Sequence, residues 1–396
     1  LRVVGTTTIN SGGTLGSNTA YNLRLQNWLY LNSGGTLNAP NATGTFTFAP
    51  ISGAKFAVEV GGIFNHDNGT LLVSTPNYNY LGTSGGAAFS LYDLIINTTD
   101  STFGTFIQNG VTVTVEHNLT INSGAYMTVE RNAGLTLGTS SSASNFTNSG
   151  DFRPNRDTGG VSTIQGNSST YPAVCAGNDW NWDYSGSGSS YNLKNLDLQF
   201  DATTGGAGVT VIFNGNMTID AFTVSAGDRL NVTTPITVTG SGNIAFNGNA
   251  TLNTASGRIH ITNYTNLYAN SGSNIDFKNV DFNPLVVNAE ALQFGSGTGA
   301  VTVQQIDRCT FNTTGSYGLP YYEYTGANQK VTITNSNFTG SATTSIYNGD
   351  IGLQDSYLQC ENCSFRYVVL VGAPEYVISK NHNGSVGDWR IYGILN

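Results

Sequence analysis

The stretch His117–Gly138, HNLTINSGAYMTVERNAGLTLG, holds three short runs of alternating apolar residues: Leu119/Ile121, Met127/Val129 and Leu135/Leu137, each beginning eight positions after the last. Alternation with a period of two marks strands with one buried face, and the Asn, Ser and Gly between the runs mark tight corners. Strands this short are marginal in isolation. A stacked or closed all-β architecture has to cover them.

The beat recurs along the chain. Met217–Phe246 places apolar pairs at Met217, Phe222, Leu230, Ile236 and Ile244, and no stretch of ten residues carries a convincing helical period. In the C-terminal half, FKNVDF, IDRCTF, ITNSNF and CENCSF align on Phe282, Phe311, Phe338 and Phe365, at spacings of 29, 27 and 27 residues. Three strand-bearing sides plus corners make a coil of that length, rising about 4.8 Å per turn of a parallel β-solenoid. The pattern predicts coils of about 22–29 residues with the Phe residues stacked inside.

A corner residue stands three positions before each apolar anchor: Asn279, Arg308, Asn335 and Asn362, and likewise Asn118, Asn195, Asn216, Asn243 and Asp93. Asparagine tolerates the left-handed backbone of a tight bend, and its amide can bond the next coil. A stacked asparagine ladder is the physical reading, although 47 Asn in one chain also place many at corners by composition.

With FKNVDF, ITNSNF, NLTINSG and FTNSG in hand, the chain resembles the right-handed parallel β-helix proteins. This is the pectin-lyase-like fold of polysaccharide lyases, phage tailspikes and many prokaryotic surface proteins. The resemblance covers most of the chain and implies a fold class; fold alone does not give function. Residues 139–190, rich in Ser, Gly and aromatics, interrupt the beat. They read as an insertion or junction between N-terminal coils over 1–138 and C-terminal coils over 191–396.

Composition narrows the function classes. Charged residues make up only 10% of the chain, the net charge is -9, and 15 Lys and Arg are spread thinly. No basic stripe suited to a nucleic-acid backbone results. Cytosolic proteins carry about 25% charged residues, so the depletion points to an extracellular or cell-surface protein. No run approaches the roughly 18 apolar residues of a membrane span. Leu1 at the start and methionines only at 127 and 217 suggest a processed chain from which an export signal has been removed.

Fourteen N-x-[ST] sequons lie along the chain. Asn41, Asn68, Asn97, Asn145, Asn167, Asn231, Asn249, Asn263, Asn312, Asn337 and Asn383 are the candidate glycan acceptors. Asn118, Asn216 and Asn362 fall in the proposed corner ladder, where a buried amide cannot carry a sugar. The cysteines Cys175, Cys309, Cys360 and Cys363 are disulfide candidates for an oxidising compartment, with three pairings open. The single C-x-x-C lacks the second pair of a zinc ribbon and the βαβ setting of a redox motif.

Candidate chemistry is sparse. Parallel β-helix enzymes use carboxylates on adjacent coils, often with calcium and a basic residue. Lys278, Asp307 and Glu361 precede the corner row, with Arg308, Asp276 and Asp281 nearby. Their alternating signs suit mutual pairing better than catalysis. His66, His117, His260 and His382 form no metal motif, and no G-x-S-x-G elbow occurs. The expectation is a non-enzyme without metal or cofactor.

Contact residues are sought in aromatic clusters and at the ends. Trp180 and Trp182 of DWNWDY, Tyr78 and Tyr80 of PNYNYL, and Tyr317, Tyr321, Tyr322 and Tyr324 of YGLPYYEY sit among Gly, Pro and Asn and are expected in loops. There they would face a partner or glycan, or pack on the solenoid. Strand-like sequence runs to both ends, including Val3, Val4, Trp389 and Ile391, with no readable capping helix. Open strand edges associate head to tail. The expectation is a self-assembling structural subunit of an N-glycosylated extracellular filament or surface coat. The alternatives are a carbohydrate-active β-helix enzyme and an adhesin that binds surface glycans.

Overall fold

The computed structural model describes the chain apart from residues 18, 52, 103, 155–159, 183–187, 207, 271, 286–291, 295–300, 314–316, 322–329, 341–343, 349–356, 364–367, 372–375, 381–388 and 393–396. The described residues are strands, turns and bends, without a helix. They fall into two compact units, Leu1–Phe200 and Asp201–Asn396. Each is a parallel β-solenoid.

Leu1–Phe200 has three strand-bearing sides, A, B and C. Side A stacks Arg2–Val3, Asn22–Leu25, Thr45–Phe48 and Thr70–Val73 in register, so that Leu23, Phe46 and Leu71 lie one above another. It continues through Leu94↔Leu119 and Leu119↔Phe146. Side B is a seven-stranded sheet running from Thr7–Ile9 through Ala54–Val58 to Asp151–Arg153. Side C holds Thr14–Leu15, Thr36–Asn38 and Ile63–Asn65 as a separate three-stranded sheet, then restarts at Phe89 and continues through Val113↔Leu135 and Leu135↔Ile164.

Local chemistry sets the corners. In N-S-G-G at residues 10–13 and 32–35, the fourth residue's N–H donates to the first residue's C=O (2.8 and 2.9 Å), closing a β-turn. The third residue, Gly12 or Gly34, has φ 75°, where a β-carbon is disfavoured. At Gly34 a β-carbon would also lie 2.6 Å from Ser11 Oγ in the coil before. Turns thus stack as tightly as strands do, and Asn32 Nδ2 donates to Asn10 Oδ1 across coils (2.8 Å).

The described residues within 139–190 include strands that stack in register on their neighbours. Asn145–Asn148 pairs with Asn118–Ile121 and then with Val174–Gly177, while Val161–Gly166 lies on Gly134–Leu137.

Asp201–Asn396 repeats the plan with sides D, E and F. Side D carries Met217–Ile219, Thr237–Gly240, Ile259–Thr262, Val280–Asn283, Thr310–Thr313 and Asn337–Gly340. Side E includes Phe222–Val224, Asn243–Phe246 and Asn266–Ala269. Side F includes Arg229–Val232, Asn249–Asn253, Asn274–Lys278 and Thr302–Asp307. The expected Phe ladder is present: Phe282 pairs with Phe311 and Phe311 with Phe338, and the first two rings stack at 5.2 Å and 13°. Phe365 lies outside the described residues.

Candidate functional site

The sequons map onto the outer surface by a simple rule. In a strand, residues i and i+2 share a face, so an Asn placed outward carries its Ser or Thr outward with it. In Leu1–Phe200, Asn118 and Asn145 lie on side A, Asn41, Asn68 and Asn167 in the corners from C to A, and Asn97 in the corner from A to B. In Asp201–Asn396, Asn216, Asn263, Asn312 and Asn337 lie on or at the ends of side D, Asn362 in the corner from F to D, and Asn231 and Asn249 on side F. Among the described residues no sequon falls on side B or side E. None of these asparagines is buried, and Asn68, Asn145, Asn167, Asn216, Asn263, Asn312, Asn337 and Asn362 are exposed. This corrects the expectation of buried amides at Asn118, Asn216 and Asn362: Asn216 and Asn362 are exposed and Asn118 is half-buried. Asn383 lies outside the described residues.

The corner row is real. Asn195, Asn279, Arg308, Asn335 and Asn362 have φ of 54°, 58°, 55°, 50° and 53°. Asn118, Asn216 and Asn243 are not among the positive-φ residues and begin or precede strands instead. The amide ladder is partial. Asn362 Nδ2 donates to Asn335 Oδ1 (3.1 Å), but Asn335 Nδ2 donates onward to Asp307 Oδ1 (2.8 Å), because Arg308 stands where an asparagine would continue the row.

The carboxylates near that row are engaged one by one. Asp307 also accepts from Thr334 Oγ1 (2.7 Å), Asp276 from Gln305 (2.6 Å) and Asn253 (3.0 Å), and Asp281 from Arg258 (2.7 Å). Arg308 Nε lies 3.6 Å from Asp307. Among the described residues no three His, Cys, Asp or Glu side chains come together as metal ligands. In Leu1–Phe200 the rings of His66, Tyr92 and His117 stack on successive coils at 5.9 and 4.8 Å. Glu116 flanks His66 (3.4 Å) and Asp93 flanks His117 (2.9 Å). This grouping joins residues some 25 positions apart, so only the coil register reveals it.

The tryptophans are core, not loop contacts. Trp180 and Trp182 are 3% and 1% exposed. Asn181 N–H donates to Phe152 C=O (2.8 Å), laying the segment on the side B strand below it. Alternation then turns both indoles inward against Phe146, Phe152, Phe200 and Tyr191. Tyr80 belongs to the strand Asn79–Leu81 instead of a loop. It joins a half-buried outer group on side B, in which the Lys55 ammonium lies 5.8 Å from the Trp28 ring and 5.4 Å from the Tyr80 ring. Tyr322 and Tyr324 lie outside the described residues. Tyr317 and Tyr321 bound the strand Tyr317–Tyr321.

Cys175 and Cys309 are free, buried thiols, and Cys363 is buried, its Sγ 3.3 Å from the Glu361 C=O. Burial pushes the Cys309 thiol up to about 12 and raises Cys175 further. Cys175 and Cys309 face inward and serve as packing groups of their coils. Cys360 pairs by backbone with Ile333 and Ser379. At the ends, Val3 is half-buried and Val4 is 55% exposed, while Trp389 and Ile391 pair with Val368 and Leu370.

No protein-family model and no curated protein matches the sequence. Among solved structures the chain is similar to a crystallised TibC-catalysed hyper-glycosylated TibA55-350 fragment, at 15% identity over 94% of this chain and 100% of that one, with a TM-score of 0.24.

Proposed function

We propose that the chain is a structural subunit of an N-glycosylated extracellular filament or surface coat, without catalytic activity. The observation that carries this reading is the placement of the sequons. Thirteen of the fourteen asparagines lie among the described residues, and all thirteen reach solvent. Glycans on them would supply the hydration that a surface with 10% charged residues lacks. Asp276, Asp281 and Asp307 are each held by neighbouring amides, hydroxyls or guanidinium, which suits a surface built to persist.

Assembly by strand addition is the finer part of the proposal. Arg2–Val3, Thr7–Ile9 and Thr14–Leu15 pair with the next coil, and among the described residues no strand covers their other edge. Leu1 and Val4 beside it are 65% and 55% exposed. In the proposed fibre another copy supplies the covering coil.

A second reading, a glycan-binding adhesin, draws on the Trp28, Tyr30, Lys55 and Tyr80 group of side B, whose flat rings and cation suit a sugar face. Electron microscopy of natively purified material, beside glycopeptide mapping, separates the two. Ordered fibres or sheets bearing glycans support the structural reading. Discrete glycosylated particles that bind saccharide arrays overturn it in favour of the adhesin.

A further inference from the structure

Within Leu1–Phe200, the third and fourth coils are hydrogen-bonded from Ala87 N–H to Val58 C=O (2.9 Å) and again from Asp93 N–H to Gly69 C=O (3.4 Å). Between those points the third coil runs through residues 59–68 and the fourth only through 88–92. Backbones of such different length cannot stay in step. Ile63–Asn65 therefore ends the three-stranded sheet of side C, and Phe89–Leu91 starts the next ladder, with no register joining them. The result is a surface cleft of about 470 Å³, walled by Ile63, Phe64 and Asp67 on one side and Ala88, Phe89 and Ser90 on the other.

Both walls are strand edges. In a parallel ladder, successive residues bond to opposite neighbours. Ile63 N–H donates to Gly35 C=O, and Asn65 C=O accepts from Ala39 N–H, both toward the second coil. The N–H and C=O of Phe64 consequently point into the cleft. On the facing wall, Val111 and Val115 accept from Gly134 and Gly138 of the sixth coil, so Thr112 and Thr114 bond back toward Phe89 and Leu91. Ser90, paired in register with Thr114, is left with its backbone groups toward the cleft. An unmet edge is a template for another strand, and here two such edges face each other.

The floor and mouth specify what fits. The Phe64 and Phe89 rings meet edge to face at 6.3 Å and belong to the core cluster with Phe56. Val60 and Ile63 are 69% and 49% exposed nearby. The charged side chains at the mouth are acidic or imidazole: Asp67 lines the cleft, and Glu116 sits 3.4 Å from His66, with no Lys or Arg in the lining. We infer that this cleft accepts one extended polypeptide segment, hydrogen-bonded between Phe64 and Ser90, with an apolar side chain on the two Phe rings and a basic residue beside Asp67. At about 3.3 Å per residue, a three-residue wall engages three or four residues of the guest. This site is separate from the coil edge invoked for assembly and stands or falls independently of it.

The test uses the full chain produced without glycosylation and the fluorescein-labelled peptide acetyl-Lys-Val-Thr-Val-Lys-amide, followed by fluorescence anisotropy and amide hydrogen exchange. Saturable binding is expected, with protection gained at Phe64 and Ser90. Methylating the central peptide nitrogens should weaken it at least tenfold, and exchanging Lys for Glu in the peptide should weaken it similarly. Asp67→Asn, which keeps a residue tolerant of the left-handed backbone at that position (φ 46°), should weaken it about threefold with an unchanged melting curve. Absence of saturable binding overturns the inference. So does equal binding of the N-methylated peptide without protection at those two amides.

Discussion

Arg258 grips Asp281 from the neighbouring coil: its Nε donates to both carboxylate oxygens at 2.7 Å, and its Nη2 reaches Thr310 Oγ1, one coil further, at 3.0 Å. Three consecutive coils of side D are thereby joined on the outside. Burial alone would raise the Asp281 carboxyl, but hydrogen bonds from Arg258 and Thr310, with the charges of Arg258 and His260, outweigh it and hold the group below its ordinary value.

That direction fixes a pH dependence. A carboxylate with a depressed folded value adds stability above the usual range near 4, and the contribution is lost as pH falls through the lower folded value. Asp281→Asn should melt about 2 °C below the wild type at pH 6. The gap should close as pH is lowered toward 3. Paired calorimetric scans check it, and a gap that widens in acid would contradict the assignment.

Arg308 occupies a left-handed corner at φ 55° where Asn279, Asn335 and Asn362 stand in neighbouring coils. A left-handed backbone costs a residue with a β-carbon about 1–2 kcal/mol, less for asparagine. Arg308→Asn is expected to stabilise the chain by about 0.5 kcal/mol and Asn335→Val to destabilise it by about 1–2 kcal/mol. Asn335→Gly should be close to neutral. Urea denaturation of the three variants measures the order.

Burial of Cys175 and Cys309 as free thiols predicts chemical silence. Ellman's reagent at pH 8, with the labelled sites read by peptide mass mapping, should leave these two unlabelled in the native chain and label them after guanidinium is added. Prompt native labelling of either would show that its coil opens.

Trp180 fills the interior between Phe152 and Phe200, at ring distances of 5.0 and 5.7 Å. Trp180→Ala should cost about 3–5 kcal/mol. Tyr30→Ala, on the outer face of side B, should cost far less. Denaturant titrations of both separate a core role from a surface one.

Glycan occupancy should track exposure. Asn145, Asn167 and Asn337 are exposed, and replacing any of them by Gln should remove one glycan from the intact mass while shifting the melting temperature by less than about 1 °C. Glycopeptide mapping of single variants reads the first outcome and calorimetry the second.

What could be read without the tertiary structure was whatever is local and periodic. The alternation at Leu119/Ile121 and Met127/Val129, the Gly-bearing corners and the repeating Phe282 to Phe338 spacing all act within one coil or between identical positions of successive coils. Strand length, inward face and corner conformation are properties of a few adjacent residues, so the all-β parallel solenoid emerged from them. The Trp180 and Trp182 alternation carried the same signal. It was masked by the flanking Gly and Asp, which read as a loop.

Only the folded chain decided how coils of unequal length meet. Whether Asn362 faces inward or outward, whether Cys309 finds a partner sulfur, and whether the rings of His66, Tyr92 and His117 fall in one stack depend on register between residues about 25 positions apart. So does the parting of Ile63–Asn65 from Phe89–Leu91. Corner length varies from coil to coil, and each extra corner residue displaces the next strand along the chain. Local propensity is blind to that displacement, while backbone hydrogen bonding between coils settles it.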